Sequence, residues 1–540
     1  MPAAGGPTAS RSAPSRSPEF GERGRSGPLP GDLFVNPIAE GADPCVVRIG
    51  ERYLWCQSEA NVGVSLWTSD RLTTLGERHV VWRAPADGPA SRQVWAPELF
   101  FLDGRWRIYL AASDGRNRTH RSYVLTAESD DPLGPYRLGG PLATGDGSPR
   151  SSQPRWAIDL TVLEYAGRRF ALWSGWPDGR TDSQCLYIAP MSDPTTIAGP
   201  RVRVCANDDF PWELTDPPAG RRGLNEAPQV LQHDGRTFVL YSCGASWLPT
   251  YGLGLLELRG DDPLDPACWY KHPEPAFQGT DATFGVGHSG FVTEPDGSWW
   301  HVFHAKVDRE PGWRRALFVQ PMGWDDDGLP RLGRPVAPGE PVAVPAETPA
   351  RARTAAGDWH FPDSGLGDFD YYGHQQFLDL AADGVLLGQA PDRPVNDYRS
   401  GEKLVLRDGR YADVRVTTEL RLLGGALEAG LLIRVTAPAV GPNAQRGYYA
   451  AVSASRGLVT VGKMDGRRRV ELGTAPYRST VPNRLTVEAV GPRLTMYLDG
   501  QPESPLAVTD DEFAFGSVGL RVSDTAACYR SLSVRPLANG

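Results

Sequence analysis

The chain has 540 residues and a net charge of −9, with 40% hydrophobic and 22% charged residues. That composition supports sizeable cores, lacks the basic footprint of a nucleic-acid binder, and would be repelled by anionic lipid. No run of 18 apolar residues occurs, which excludes a membrane-spanning helix.

Gly 61 and Pro 49, together with Trp 16, Tyr 18 and Phe 17, point to many short strands joined by tight turns. The first 30 residues are rich in Pro, Ser, Gly and Arg and read as a disordered tail. This segment lacks the apolar core of a secretory signal, so a cytoplasmic location is expected over a secreted one. The seven cysteines are widely spaced without a C-x-x-C pair, which argues for free thiols over a disulfide framework or zinc knuckle.

From residue 31 onward one plan recurs five times: a polar residue, a short apolar strand, a tight turn, then an aromatic-rich strand. The copies begin at Asp43, Glu98, Asp159, Glu226 and His288, about 55 to 67 residues apart. Turns such as Asp103-Gly104 and Asp234-Gly235 between apolar runs are strong hairpin signals. No helical pattern long enough for a crossover separates the copies, so the expectation for 31–335 is a five-bladed β-propeller. The run Trp313 to Gln320 is expected to complete the ring. Residues 336–354, with Pro338, Pro341, Pro345 and Pro349, read as an extended linker. From 355 to 540 the pattern is all-β without the blade period. Alternating strands at 411–420, 430–435, 448–453, 485–490 and 494–498 predict a β-sandwich of jelly-roll or concanavalin-like type.

Closing five blades into a ring gathers their innermost strands around one axis, so the residues that open them line the mouth of a funnel. Four carboxylates and a histidine are expected there as five equivalent positions. Crowded like charges raise one another's pKa, an arrangement typical of functional sites. Inverting glycoside hydrolysis needs such groups: an acid for the leaving oxygen and a base for water, ~6.5–9.5 Å apart. A surplus carboxylate can hold the acid protonated near neutral pH.

The segments Glu40-Gly41-Ala42-Asp43-Pro44, Val94-Trp95-Ala96-Pro97-Glu98, Ala157-Ile158-Asp159, Asn225-Glu226-Ala227-Pro228 and Gly285-Val286-Gly287-His288-Ser289 resemble glycoside hydrolase family 43. The resemblance covers about residues 31–345. It implies a five-bladed propeller and an inverting enzyme acting on arabinofuranosides, xylosides or arabinan, with no required cofactor. It also implies Asp43 as general base, Asp159 as the carboxylate that modulates and orients the acid, and Glu226 as general acid. Glu98 is expected to be structural. Trp95 would line the sugar pocket, His288 would lie at the axis beside a structural calcium ion, and Arg315, with Arg314 as the alternative, would contact substrate or the acids. The stretch Leu172 to Pro177, followed by Cys185 to Met191, resembles the exo-acting α-L-arabinofuranosidase branch, with Trp176 as a sugar wall. The expected partner is a pentose-containing oligosaccharide or polysaccharide, with no nucleic acid and no membrane. Competing readings are a β-xylosidase, another furanosidase, or a carbohydrate-binding propeller without catalysis.

Overall fold

The computed structural model describes residues 33–146, 154–177, 183–215, 223–346, 348–349, 351–388, 401–466, 468–477, 483–499 and 506–537. The expected tail at 1–30 lies outside these residues.

Five antiparallel sheets form the propeller. The first blade comprises Cys45–Ile49, Arg52–Ser58, Gly63–Ser69 and Glu77–Arg83, and the second Arg92–Leu102, Arg105–Ser113, Arg121–Ala127 and Tyr136–Pro141. The third is built on Ala157–Tyr165, Arg168–Gly175, Cys185–Asp193 and Val202–Cys205, and the fourth on Glu226–His233, Arg236–Cys243, Gly252–Leu258 and Trp269–Lys271. The inner hairpins of blades two to four turn through two residues that both have positive φ: Asp103-Gly104, Ala166-Gly167 and Asp234-Gly235. That backbone matches the right-handed twist of the flanking strands, so the local turn chemistry dictates these hairpins.

The fifth blade holds Phe284–Thr293, Trp299–Lys306 and Arg315–Trp324, and its fourth strand is Ala39–Glu40 from the start of the chain, with Glu40 opposite Ala316. The run from Trp313 to Gln320 therefore supplies most of the third strand of this blade, and the N-terminal strand closes the ring. Leu33–Val35 pairs with Pro341–Ala343 within the proline-rich stretch.

Each blade is apolar on both faces because it is packed between two neighbours. Leu54 and Leu66 of blade one meet Trp106 and Ile108 of blade two, and Tyr109 meets Trp173 across the next boundary. Phe170 then meets Tyr241, Phe238 meets Phe303, and Trp300 meets Trp55 to return to the first blade. These five cores explain why no blade could stand alone.

The described residues of 357–536 form one thirteen-stranded antiparallel sheet wrapped over a main core that includes Trp359, Val416, Leu431, Tyr448, Leu485, Leu520 and Val534, with a smaller cluster of Tyr372, Val405, Leu432, Tyr449 and Met464 beside it. The strands expected at 411–420 and 430–435 are one element, Val414–Thr436, which pairs along much of its length with Ser517–Pro536. Register shifts between Glu419 and Glu428 let this long strand bend and serve both layers. The sandwich rests on the propeller: Gly373 O accepts from Glu40 N at 3.3 Å, and Gln375 Nε2 donates to Gln57 Oε1 at 3.2 Å.

Candidate active site

The innermost strand of blades two to five carries the same irregularity. Register against the second strand shifts between Trp95 and Glu98, Ile158 and Thr161, Glu226 and Gln229, and on both sides of Gly287. Within each shift sits one residue in the left-handed region: Ala96 (φ 44°), Asp159 (54°), Ala227 (50°) and His288 (48°). Asp43 (φ 51°) holds the matching place just ahead of the first blade's inner strand. Such bulges re-aim side chains, and non-glycine residues held at positive φ concentrate at functional sites.

The bulge corrects the expected equivalence of the five polar residues. Asp43, Asp159 and His288 occupy the same position, shared with Ala96 and Ala227. Glu226 stands one residue nearer the mouth, level with Trp95 and Ile158. Glu98 lies two residues further along its strand, level with Cys45, Thr161 and Gln229. The sequence did carry the cue, because Pro44, Pro97 and Pro228 each follow the bulge residue directly.

Asp159, Glu226 and His288 are all buried, and Asp43 is partly exposed to the cavity. Arg315 Nη1 donates to Asp43 Oδ1 at 3.2 Å, and His288 Nδ1 lies 3.3 Å from the same oxygen. The Asp43 backbone N–H donates to His304 Nδ1 at 3.1 Å. Burial alone would raise the Asp43 pKa, but the Arg315 and His288 charges outweigh it and hold the carboxyl well below its ordinary value. Burial works against the His288 cation too, yet the Asp43 charge and hydrogen bond lift this group to about 9. His304, buried, stays neutral with a pKa of about 3.

Glu226 has the opposite environment. Burial first, and the Asp159 charge next, push its pKa up to about 8, although Tyr251 Oη donates to Glu226 Oε1 at 2.9 Å and pulls the other way. Burial likewise lifts Asp159 to about 6, and its Oδ2 accepts from the Ala227 N–H at 3.0 Å. That bond ties the third blade to the residue after Glu226. At neutral pH the site thus holds an ionised carboxylate at Asp43 and a protonated carboxyl at Glu226, two titratable groups with separated pKa values. Glu98 accepts from Gln229 Nε2 and is buried at 3% exposure, with burial raising it to about 7. It bridges the inner strands beneath the mouth.

A cavity of about 1220 Å³ opens over this ring. Trp95 and Trp176 both line it, as do Asp43, Asp159, Glu226, His288 and Arg315. Trp176 stacks on Trp156 at 4.5 Å and 10°, and Trp95 stacks on His120 at 4.0 Å. Arg314 lines the cavity but pairs with Asp308 at 3.1 Å, so Arg315 is the arginine that reaches Asp43. Tyr251, His304 and Trp156 belong to the site and were not singled out from sequence. Trp156 directly precedes Ala157-Ile158-Asp159, which was a usable signal. Tyr251 follows an irregular loop, and only folding brings it beneath Glu226. Gln375 and Gln376, in a single 3-10 turn of the sandwich, also line the cavity.

A calcium ion takes six to eight oxygen ligands. Among the described residues no group of three or more His, Cys, Asp and Glu side chains is arranged to hold a metal. His288 would offer one nitrogen, and its Nδ1 already faces Asp43. These donors do not fit a protein-built calcium cage.

Residues 34–330 match the family profile of glycosyl hydrolases family 43. The alpha-L-arabinofuranosidase 43 of Humicola insolens is 35% identical over 288 residues, covering 51% of this chain and 56% of that protein. The match thus spans little more than half of that relative's length. An extracellular exo-alpha-(1->5)-L-arabinofuranosidase of Streptomyces avermitilis is 30% identical over 360 residues, covering 63% of this chain and 69% of that one. The crystal structure of an alpha-L-arabinofuranosidase from Lactobacillus brevis superposes with a TM-score of 0.51 at 29% identity, covering 56% of this chain and 97% of that chain. With the family profile matching more than half of its residues, this chain belongs to glycosyl hydrolases family 43.

Proposed function

We propose that the protein is an inverting exo-glycosidase that removes terminal α-L-arabinofuranosyl residues from arabinose-containing oligosaccharides or polysaccharides. The observation that carries this reading is the pair of carboxyl groups in one cavity with opposite surroundings: Asp43 is held by Arg315 and His288, which favour its ionised form, and Glu226 is buried beside Asp159, which favours its protonated form. The choice of sugar rests on the relatives, whose names identify them as arabinofuranosidases.

In the proposed reaction Glu226 gives its proton to the glycosidic oxygen as the bond from that oxygen to C1 breaks. Asp43 takes a proton from a water molecule whose oxygen bonds to C1 from the opposite face, so the α-linked sugar is released as the β-anomer. Arg315 and His288 keep Asp43 ionised and fix its direction. Asp159 keeps Glu226 protonated between turnovers, and Trp95 and Trp176 offer apolar ring faces to the sugar. Bond cleavage and water attack at C1 are each assisted by a proton transfer to or from a carboxyl group, and neither calls for a cofactor.

The test is hydrolysis of an aryl α-L-arabinofuranoside beside the matching β-D-xyloside, with NMR following the first anomer released. Preferential arabinoside cleavage with the β-anomer appearing first is the expected result. Preference for the xyloside, or retention of configuration, refutes the reading. Glu226→Gln is expected to lower kcat by 10²–10⁴-fold, since positioned proton transfer typically contributes that much. A carbohydrate-binding propeller would instead show no turnover to lose.

A further inference from the structure

Trp313 is 63% exposed, the most exposed large apolar residue among those described, and it stands at the rim of the catalytic cavity. Its loop joins Trp299–Lys306 to Arg315–Trp324 of the fifth blade. The ring is not a loose surface side chain. It packs on Trp247, from the loop after Arg236–Cys243 of the fourth blade, with centroids 5.3 Å apart. Gly312 N–H donates to Trp247 O at 2.9 Å, and Lys306 Nζ, itself buried, donates to Gly312 O at 2.6 Å. Two loops are therefore clamped so that an indole pair faces solvent beside the cavity.

The surroundings connect this pair to the reacting groups. Trp247 shares its loop with Tyr251, the donor to Glu226. On the other side, the Arg315 guanidinium lies 5.6 Å from the Trp313 ring centroid while bonding Asp43. The cavity, at about 1220 Å³, exceeds the roughly 300–1,000 Å³ that serves a drug-sized ligand, so it has room for more than one pentose. Sugar rings present apolar C–H faces that suit an aromatic platform.

Resting on the arabinofuranosidase reading above, we propose that Trp313, backed by Trp247, is the platform for the sugar next to the one released, the leaving-group unit of an arabinofuranosyl chain. The site then selects oligosaccharides over simple glycosides.

The test uses the full chain with Trp313→Ala and Trp313→Phe, and compares kcat/KM for linear α-1,5-linked arabinotriose with that for methyl α-L-arabinofuranoside, which has no second ring. An aryl glycoside is unsuitable, since its aglycone would itself stack on the indole. The trisaccharide-to-methyl-glycoside ratio is expected to fall roughly tenfold in Trp313→Ala, or ~1.4 kcal/mol, chiefly through KM. Trp313→Phe, which keeps a ring, should recover the ratio to within about threefold. A ratio unchanged within twofold in Trp313→Ala overturns the proposal. If the wild-type protein cleaves neither substrate, the arabinofuranosidase reading fails, and calorimetric titration with the same trisaccharide judges the platform alone. Binding weakened roughly tenfold by Trp313→Ala supports it, and equal binding or none overturns it.

Discussion

Asp159→Asn removes one charge and almost nothing else. The amide oxygen can still accept the Ala227 N–H that Asp159 Oδ2 accepts at 3.0 Å, so the link between the third and fourth blades survives. What disappears is the negative charge that, after burial, does most to raise Glu226 from its ordinary 4.5 to about 8. Burial remains, so the expected fall is of order 1–2 units, to about 6–7, or ~1.4–2.7 kcal/mol less bias toward the protonated acid. In the proposed mechanism Glu226 must be protonated to act, so a lower pKa brings the loss of activity to lower pH. The basic limb of the kcat/KM profile should therefore move down by of order 1–2 pH units. At pH 7 the protonated fraction drops from roughly nine-tenths to between about a tenth and a half, on top of any loss from misorientation. The assay is the pH dependence of kcat/KM from pH 4 to 10 on an arabinofuranoside, with circular dichroism to verify the fold. A basic limb that stays in place, or moves upward, would refute the assignment of Asp159 as the group that keeps Glu226 protonated.

Other substitutions probe the same network from different sides. Tyr251→Phe removes the hydrogen bond that favours the Glu226 carboxylate, so the acid's pKa rises and the basic limb should move to higher pH, opposite to Asp159→Asn. Arg315→Ala removes the cation that most depresses Asp43, so the acid limb should climb toward neutral pH by of order one unit or more, measured in the same profile. Gly287→Ala would set a Cβ 2.1 Å from Tyr251 Cε1, against a ring that is 1% exposed and has nowhere to retreat. It should cost about 1–3 kcal/mol in denaturant unfolding and displace Tyr251 from Glu226; full stability and activity would show that Tyr251 is not held as described.

The propeller was legible because its signals are local. Alternating apolar strands closing on Asp103-Gly104, Ala166-Gly167 and Asp234-Gly235 determine hairpins within a dozen residues, and five such hairpins in order leave few other architectures. The acids were legible for the same reason, since Asp43, Asp159 and Glu226 lie at or beside the starts of those inner strands. The sandwich was readable as alternating strands, but the continuity of Val414–Thr436 was not, because bulges near Gly424 interrupt the two-residue alternation.

Other features depend on contacts between distant parts of the chain. Ring closure pairs Ala39–Glu40 with a strand nearly 280 residues away, and no local pattern in a two-residue strand announces its partner. The height of each polar residue along the funnel was set by a one-residue bulge, which moved Glu226 toward the mouth and sent Glu98 beneath it. Tyr251, His304 and Trp156 joined the site only when neighbouring blades packed together. Residue types and order in the sequence determined the fold class and named the carboxyl groups. Their division into a protonated acid and an ionised base was decided by tertiary structure, because burial and neighbouring charge act through space and are not encoded at any single position.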